Sequence, residues 1–184
     1  GHDLGTPEET EYRETEYHIQ EGVPGRYDHT REQFVDKTLR WRNAQKPTIA
    51  AVQGYCIFGG WIIASAMDII FAAEDAMFLP TNFQYFSVSW DIHPRKVKEI
   101  IFEGRFIDAE EALKLGLVNR IVTREQLDAE VMEYAAKVAK NDPFQLRMMK
   151  MAVNGMQDAQ GFNQHISSAQ AMFLLSSQGE KDPD

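Results

Sequence analysis

The sequence predicts an α/β core that gives way to a helical tail, on three observations. Two short apolar runs, T-I-A-A-V (48–52) and D-I-I-F-A-A (68–73), flank a helix-like stretch, W-I-I-A-S-A-M, in the order expected of a parallel crossover unit. A glycine pair, Gly59 and Gly60, sits where the first run turns into that helix. Beyond residue 124 there are three helical stretches and no strand-like run.

Taken in order, residues 8–21 hold six glutamates against one arginine, Arg13, and read as an acidic exposed connector that G-V-P-G (22–25) closes. T-R-E-Q-F-V-D-K-T-L-R-W (30–41) predicts a helix N-capped by Thr30, with Phe34, Val35, Thr38 and Leu39 on one face. Lys46-Pro47 stops it, and the first strand ends at Gly54. Residues 78–93 are irregular and aromatic. R-K-V-K-E-I-I-F-E-G (95–104) is a helix with a glycine stop, and D-A-E-E-A-L-K-L-G (108–116) is one capped by Asp108. L-V-N-R-I-V (117–122) is a strand, followed by helices at 124–140, 142–156 and 161–177. The sequence shows no internal repeat and no low-complexity tract.

At 184 residues the chain suits one core plus an appendage. A net charge of -9 argues against a nucleic-acid surface, which needs clustered Lys and Arg to neutralise phosphates. The lone Cys56 has no internal disulfide partner, which fits a reducing, cytoplasmic setting. No run reaches the roughly 20 apolar residues of a membrane span, so no membrane partner is expected. The chain opens on G-H-D-L without a Met or a signal peptide and is expected to be a piece of something longer.

Chemically, a strand, a glycine turn and a helix start leave backbone N–H groups without partners inside the helix. With the positive end of the helix dipole behind them, they can hold an anion or an oxygen that becomes negative; close packing of helix on strand is the plainer reading. No Gly-Lys-Ser/Thr follows, so this is not a P-loop, and the glycine spacing is not that of a dinucleotide fingerprint. The five histidines show no metal-ligand spacing, and no metal or cofactor is expected. Asp91 and His93 stand two apart in the aromatic region, where burial can shift either pKa; a salt-bridged or solvated pair is the plainer reading. Tyr85 either donates a hydrogen bond or packs.

In sequence order, several of these segments resemble the crotonase (enoyl-CoA hydratase/isomerase) superfamily. G-H-D-L is similar to the family's A-G-x-D-[LI] loop, and K-P-T-I-A-A-V-Q-G-Y-C-I-F-G-G-W-I-I-A-S-A-M-D to its signature. I-I-F-A-A-E-D-A-M-F, F-E-G-R-F-I-D-A-E-E-A-L-K-L-G-L-V-N-R-I-V and the tail D-P-F-Q-L-R-M-M-K-M-A-V-N continue the match over nearly the whole chain.

The resemblance implies a crotonase-like (ClpP/crotonase) spiral of ββα units lacking its N-terminal strands. Residues 1–123 would be part of the α/β core and 124–184 a helical C-terminal oligomerisation region, giving a homotrimer or hexamer. It also implies an acyl-CoA thioester substrate, with coenzyme A as part of the substrate. An enolate-like oxygen would be held by the backbone N–H groups of His2 and Gly59, with Phe58, Gly60, Trp61 and Ile62 lining the substrate. The chain departs from the hydratase pattern at two places. The family's first glutamate falls at Ile62 and its second at about Asn82, and neither residue can transfer protons as a carboxylate does. Asn82, Tyr85, Asp91 and His93 are then the acid/base or orienting candidates. Arg95, Lys96 and Lys150 are candidates for CoA phosphates, solvated surface charge being the alternative. A catalytically silent CoA-thioester-binding or scaffold member is the competing reading.

Overall fold

The computed structural model describes residues 6–15, 22–80 and 86–177. After α1 (Pro7–Thr15), α2 (Gly22–Thr30) runs without a break through a π-helical segment (Arg31–Asp36) into α3 (Lys37–Arg42). The π turn shows in the Lys37 N–H, which donates five residues back to the Glu32 carbonyl. Such a turn inserts an extra residue into the helical register, and here Val35, Thr38 and Arg42 are all buried. Thr30 is not the N-cap that the sequence suggests. The helical rod begins at Gly22, so Thr30 sits inside it and its hydroxyl donates to the carbonyls of Arg26 (2.9 Å) and Tyr27 (3.2 Å).

Two ββα units follow. β1 (Ile49–Val52), β2 (Tyr55–Ile57) and α4 (Gly59–Ser65) make the first; β3 (Ile69–Ala73), β4 (Met77–Leu79), α5 (Val88–Asp91) and α6 (Pro94–Glu103) make the second. β5 (Ile107–Asp108), α7 (Ala109–Lys114) and β6 (Arg120–Val122) complete the core. The first strand of each unit enters one sheet, ordered β1-β3-β6, and the second strand enters another, ordered β2-β4-β5. β1 and β3 are parallel with Ile49 opposite Ile69, as the crossover reading requires. β2 and β4 are parallel with Tyr55 opposite Met77, while β5 runs antiparallel to β4.

The second sheet follows from the ββα units that the resemblance implies but could not be read from the residues themselves, because its strands are two or three residues long and too short to show a period of two. Residues 78–93, expected to be irregular, contribute to β4 and contain α5. The strand expected over 117–122 is confined to Arg120–Val122. Asn119 diverts the chain before it, its side-chain oxygen accepting the Ile70 N–H at 2.7 Å. The caps at both later helices hold. Asp108 accepts the Glu111 N–H at 2.8 Å, and Gly104 closes α6 at φ 59°, a left-handed conformation that glycine adopts without strain.

From Arg124 onward the described chain is helical: a short 3-10 turn (Arg124–Gln126), α8 (Leu127–Val138), α9 (Pro143–Ala159) and α10 (Phe162–Ser176). α8 packs on the outer face of the first sheet, Leu127 and Tyr134 against Phe71. α9 differs from its neighbours in having no buried residue at all.

α4 lies between two apolar clusters. Trp61 joins the sheet core with Phe78, Val88, Ile100 and Ile107. Ile62 joins the other cluster, with Val35, Phe86, Phe162 and Ile166. Successive residues of a helix point about 100° apart, so a single step along the chain crosses from one cluster to the other.

Candidate functional site

The turn into α4 is strained where the glycine pair begins. Phe58 has φ 37° and ψ -92°, one of two positive φ values among the described non-glycine residues. Its N–H donates to the Leu79 carbonyl at 3.0 Å, which ties the turn to β4, and its carbonyl accepts the Ile62 N–H at 2.8 Å, which opens the helix. The Phe58 ring is held by Phe34 at 5.5 Å and Phe173 at 5.7 Å between centroids. Strain of this kind persists only where the surroundings over-determine it. Here two hydrogen bonds and two rings do so, and they leave Gly59 as the first residue of the helix, where an N–H has no partner within the helix.

The residues after Gly59 are apolar and enclosed. Gly60 is half-buried, whereas Trp61 and Ile62 are completely buried. Trp61 meets Phe78 edge-on at 5.7 Å, so its indole belongs to the sheet core. Ile62 belongs to an apolar cluster with Val35, Phe86, Phe162 and Ile166, against which the half-buried Phe58 packs. Its environment suits a hydrocarbon and would penalise a charge.

The second strained residue is Ser87, at φ 64° and ψ -38°. The Val88 N–H donates to the Phe86 carbonyl at 2.8 Å, closing a three-residue γ-turn around it. That turn aims the Ser87 hydroxyl at Asp91, donating to Oδ2 at 2.5 Å. Burial pushes the Asp91 carboxyl up to about 6, with the Ser87 hydrogen bond and the charge of Arg42 both working the other way. Asp91 faces a cavity of about 490 Å³ that Ser65, Ala66 and Met67 also line, at the far end of α4 from Gly59.

His93, two residues on, is separated from Asp91 in role as well as direction. It is the exposed N-cap of α6, its Nδ1 accepting the Arg95 N–H at 3.3 Å. The two residues paired by sequence spacing are thus divided between the end of one helix and the cap of the next. His2, Asn82 and Tyr85 lie outside the described residues. Lys150 is neither solvated nor turned outward; its side chain is 7% exposed, with Nζ 2.8 Å from Asp68 and 3.2 Å from the Lys46 carbonyl. Arg95 is exposed, and Lys96 pairs with Glu99 at 2.8 Å.

Sequence reasoning missed Arg42. It is 5% exposed and reaches Asp158 (3.0 Å), Gln157 (3.0 Å) and the Asn154 carbonyl (3.1 Å), with its guanidinium 4.2 Å from the Phe162 ring centroid. All these partners lie more than 110 positions away, so no local pattern could have announced the contact. Among the described residues no His, Cys, Asp and Glu group could hold a metal ion, and no helix is long and apolar enough to cross a membrane.

Residues 15–182 match the family model described as enoyl-CoA hydratase/isomerase. The curated relative "Putative enoyl-CoA hydratase EchA13" of Mycobacterium tuberculosis is 33% identical over 150 residues, covering 77% of this chain and 47% of the relative. A solved structure described as a probable enoyl-CoA hydratase from Mycobacterium smegmatis superimposes with a TM-score of 0.81 at 42% identity, over 84% of this chain and 66% of that one. An enoyl-CoA hydratase/isomerase from Xanthobacter autotrophicus Py2 gives a TM-score of 0.81 at 33% identity, over 88% and 62%. The chain thus spans about half of that curated relative and just under two thirds of these solved chains.

Proposed function

Since this chain belongs to the enoyl-CoA hydratase/isomerase family, we propose that it acts on an acyl-CoA thioester through an oxyanion-stabilised enolate and is not an ordinary hydratase. The observation that carries this reading is the pairing of Gly59 with Ile62. The first opens α4 behind a strained Phe58, and the second is fully buried among apolar side chains. A preorganised N–H aimed at charge that develops during reaction is commonly worth about 3 kcal/mol. In this reading the Gly59 N–H supplies one such donor and the His2 N–H the other. Ile62 offers no proton to move, so the enolate step is kept without the usual addition of water.

The remaining acid/base candidates are Asn82 and Tyr85. Asp91 lines a cavity with the last turn of α4, and His93 is engaged as a cap, so neither is favoured at Gly59. Substrate contacts fall to Phe58 and Gly60, the half-buried members of the turn, more than to Trp61. The 124–184 region would serve in self-association as a trimer or hexamer in the cytoplasm. Its support is the apolar surface of α9 and α10, where Met149, Val153, Met172 and Leu175 are all more than half exposed. Sedimentation of the intact protein tests that part.

Incubation of the full-length protein with crotonyl-CoA, following loss of the conjugated thioester absorbance, tests the reaction. No hydration is expected; fast turnover would overturn the reading. Turnover of a β-diketone or malonyl-type thioester would identify the enolate chemistry it serves. A second reading, a silent CoA-thioester-binding or scaffold member, draws on the same enclosed Ile62. Thermal stabilisation by acyl-CoA without turnover on that panel would favour it, and failure of any CoA compound to bind would remove both.

A further inference from the structure

The cavity beside Asp91 exists because α9 is held off the core by polar contacts. No residue of α9 is buried. Its attachments are Lys150 on Asp68 and on the Lys46 carbonyl, and Asn154, Gln157 and Asp158 on Arg42. Helices joined through apolar side chains close up on one another, whereas long polar side chains meeting end to end keep the backbones apart. The space left, about 490 Å³, lies within the range that takes small ligands.

The cavity's charges are unequally satisfied. Arg42 is neutralised by Asp158 and Lys150 by Asp68. Asp91 forms no ion pair with a described residue. Its Oδ2 accepts the Ser87 hydroxyl, and its Oδ1 accepts nothing from the described residues. Ser65, lining the same cavity from the last turn of α4, has a buried hydroxyl oxygen with no hydrogen-bond partner. Unsatisfied buried polar atoms are uncommon, and each calls for a missing donor or acceptor. The wall also carries the polar side chains of Asn141, Asn154 and Gln157, and its apolar part includes Ile69, Val138, Met149 and Phe162.

A carboxylate with no ion pair among the described residues and an unmet hydroxyl line one cavity together with apolar side chains, a set that suits a molecule carrying both donors and hydrocarbon. We propose that the cavity between α9 and the core binds a small amphipathic amine, its ammonium donating to Asp91 and Ser65 and its hydrocarbon lying against Ile69, Val138, Met149 and Phe162. An ammonium has three donors and can serve both groups at once, and its bond to a carboxylate is charge-assisted. The site is separate from the one proposed for the thioester. Ser65 lies six residues along α4 from Gly59, about 9 Å at the helical rise. The inference does not depend on the acyl-CoA reading.

Titration of the intact protein at pH 7.5 with n-hexylamine and, separately, with 1-hexanol tests it, followed by calorimetry. The amine is expected to bind at least about tenfold more tightly than the alcohol, and Asp91→Asn to abolish that preference. Equal binding of the two, an unchanged preference in Asp91→Asn, or no binding of the amine overturns the proposal. Should Asp91→Asn not fold, Val138→Trp replaces it, narrowing the cavity from the end of α8. Loss of amine binding in that variant supports the site, and retention overturns it.

Discussion

Lys150 Nζ lies 2.8 Å from Asp68 Oδ2, the same oxygen that accepts the Thr48 N–H at 2.7 Å and the Thr48 hydroxyl at 3.0 Å. One carboxylate oxygen therefore joins α9 to the start of two paired strands, which begin at Ile49 and Ile69. The Lys150 side chain is 7% exposed and that of Asp68 24%. Removing either partner leaves the other partly buried and unpaired, a loss that a fully buried pair would make larger still. Asp68→Asn or Lys150→Met is expected to cost about 2 kcal/mol, read as a lower urea midpoint.

Asp91 sets a pH dependence of opposite sign to that of a salt-bridged carboxylate. Its pKa is raised from 3.8 to about 6, so the folded state binds the proton more tightly than the unfolded chain. The stability this contributes is full below 3.8 and is lost as pH rises through about 6. Urea midpoints at pH 4.5 and 7.5 should differ between the natural chain and Asp91→Asn, the natural chain losing on the order of 2 kcal/mol more across that interval. A parallel response in both proteins would show that the carboxyl ionises freely.

Trp90 and His165 make a spectroscopic pair. The indole N–H donates to His165 Nδ1 at 3.1 Å, which requires that nitrogen to be unprotonated, and burial holds the imidazole below its ordinary 6.5. Acidification through a midpoint under 6.5 should break the bond and alter tryptophan emission. Trp90→Phe should remove that transition, although Trp41 and Trp61 remain.

Ile62 can be tested without any substrate. Ile62→Glu puts a carboxyl among Val35, Phe86, Phe162 and Ile166 and should destabilise the protein by about 3 kcal/mol or more at neutral pH. Part of the loss should be recovered near pH 4, because the apolar surroundings favour the protonated acid. Ile62→Leu should cost less than about 1.5 kcal/mol.

What could be read in advance was local or periodic. Asp108, Gly104 and the parallel pairing of residues 48–52 with 68–73 each depend on a few neighbouring positions, and the structure has them all. β2, β4 and β5 could not be read, because a strand of two or three residues is defined by its partner. Tyr55 is a strand residue only because Met77 lies opposite it. The π turn was likewise hidden, since the residues of 31–36 carry no preference that separates it from an ordinary helix. At the site, the glycine at the head of α4 was legible from the run G-G-W-I-I-A-S. The opposite fates of Asp91 and His93 were not, because they depend on Ser87 turning the chain and on Arg95 offering its N–H.

The placement of α4 between two apolar clusters has a consequence for how this chain can change. Trp61 answers to the sheets, and a substitution there would disturb Phe78 and the strands beneath it. Ile62 answers to the other cluster, which includes Val35, Phe86, Phe162 and Ile166. Adjacent letters of the sequence are therefore under separate jurisdictions. Ile62, one helical turn past Gly59, can be exchanged for another hydrocarbon without disturbing the sheet cluster, while Phe58 links its own cluster to the turn that presents Gly59.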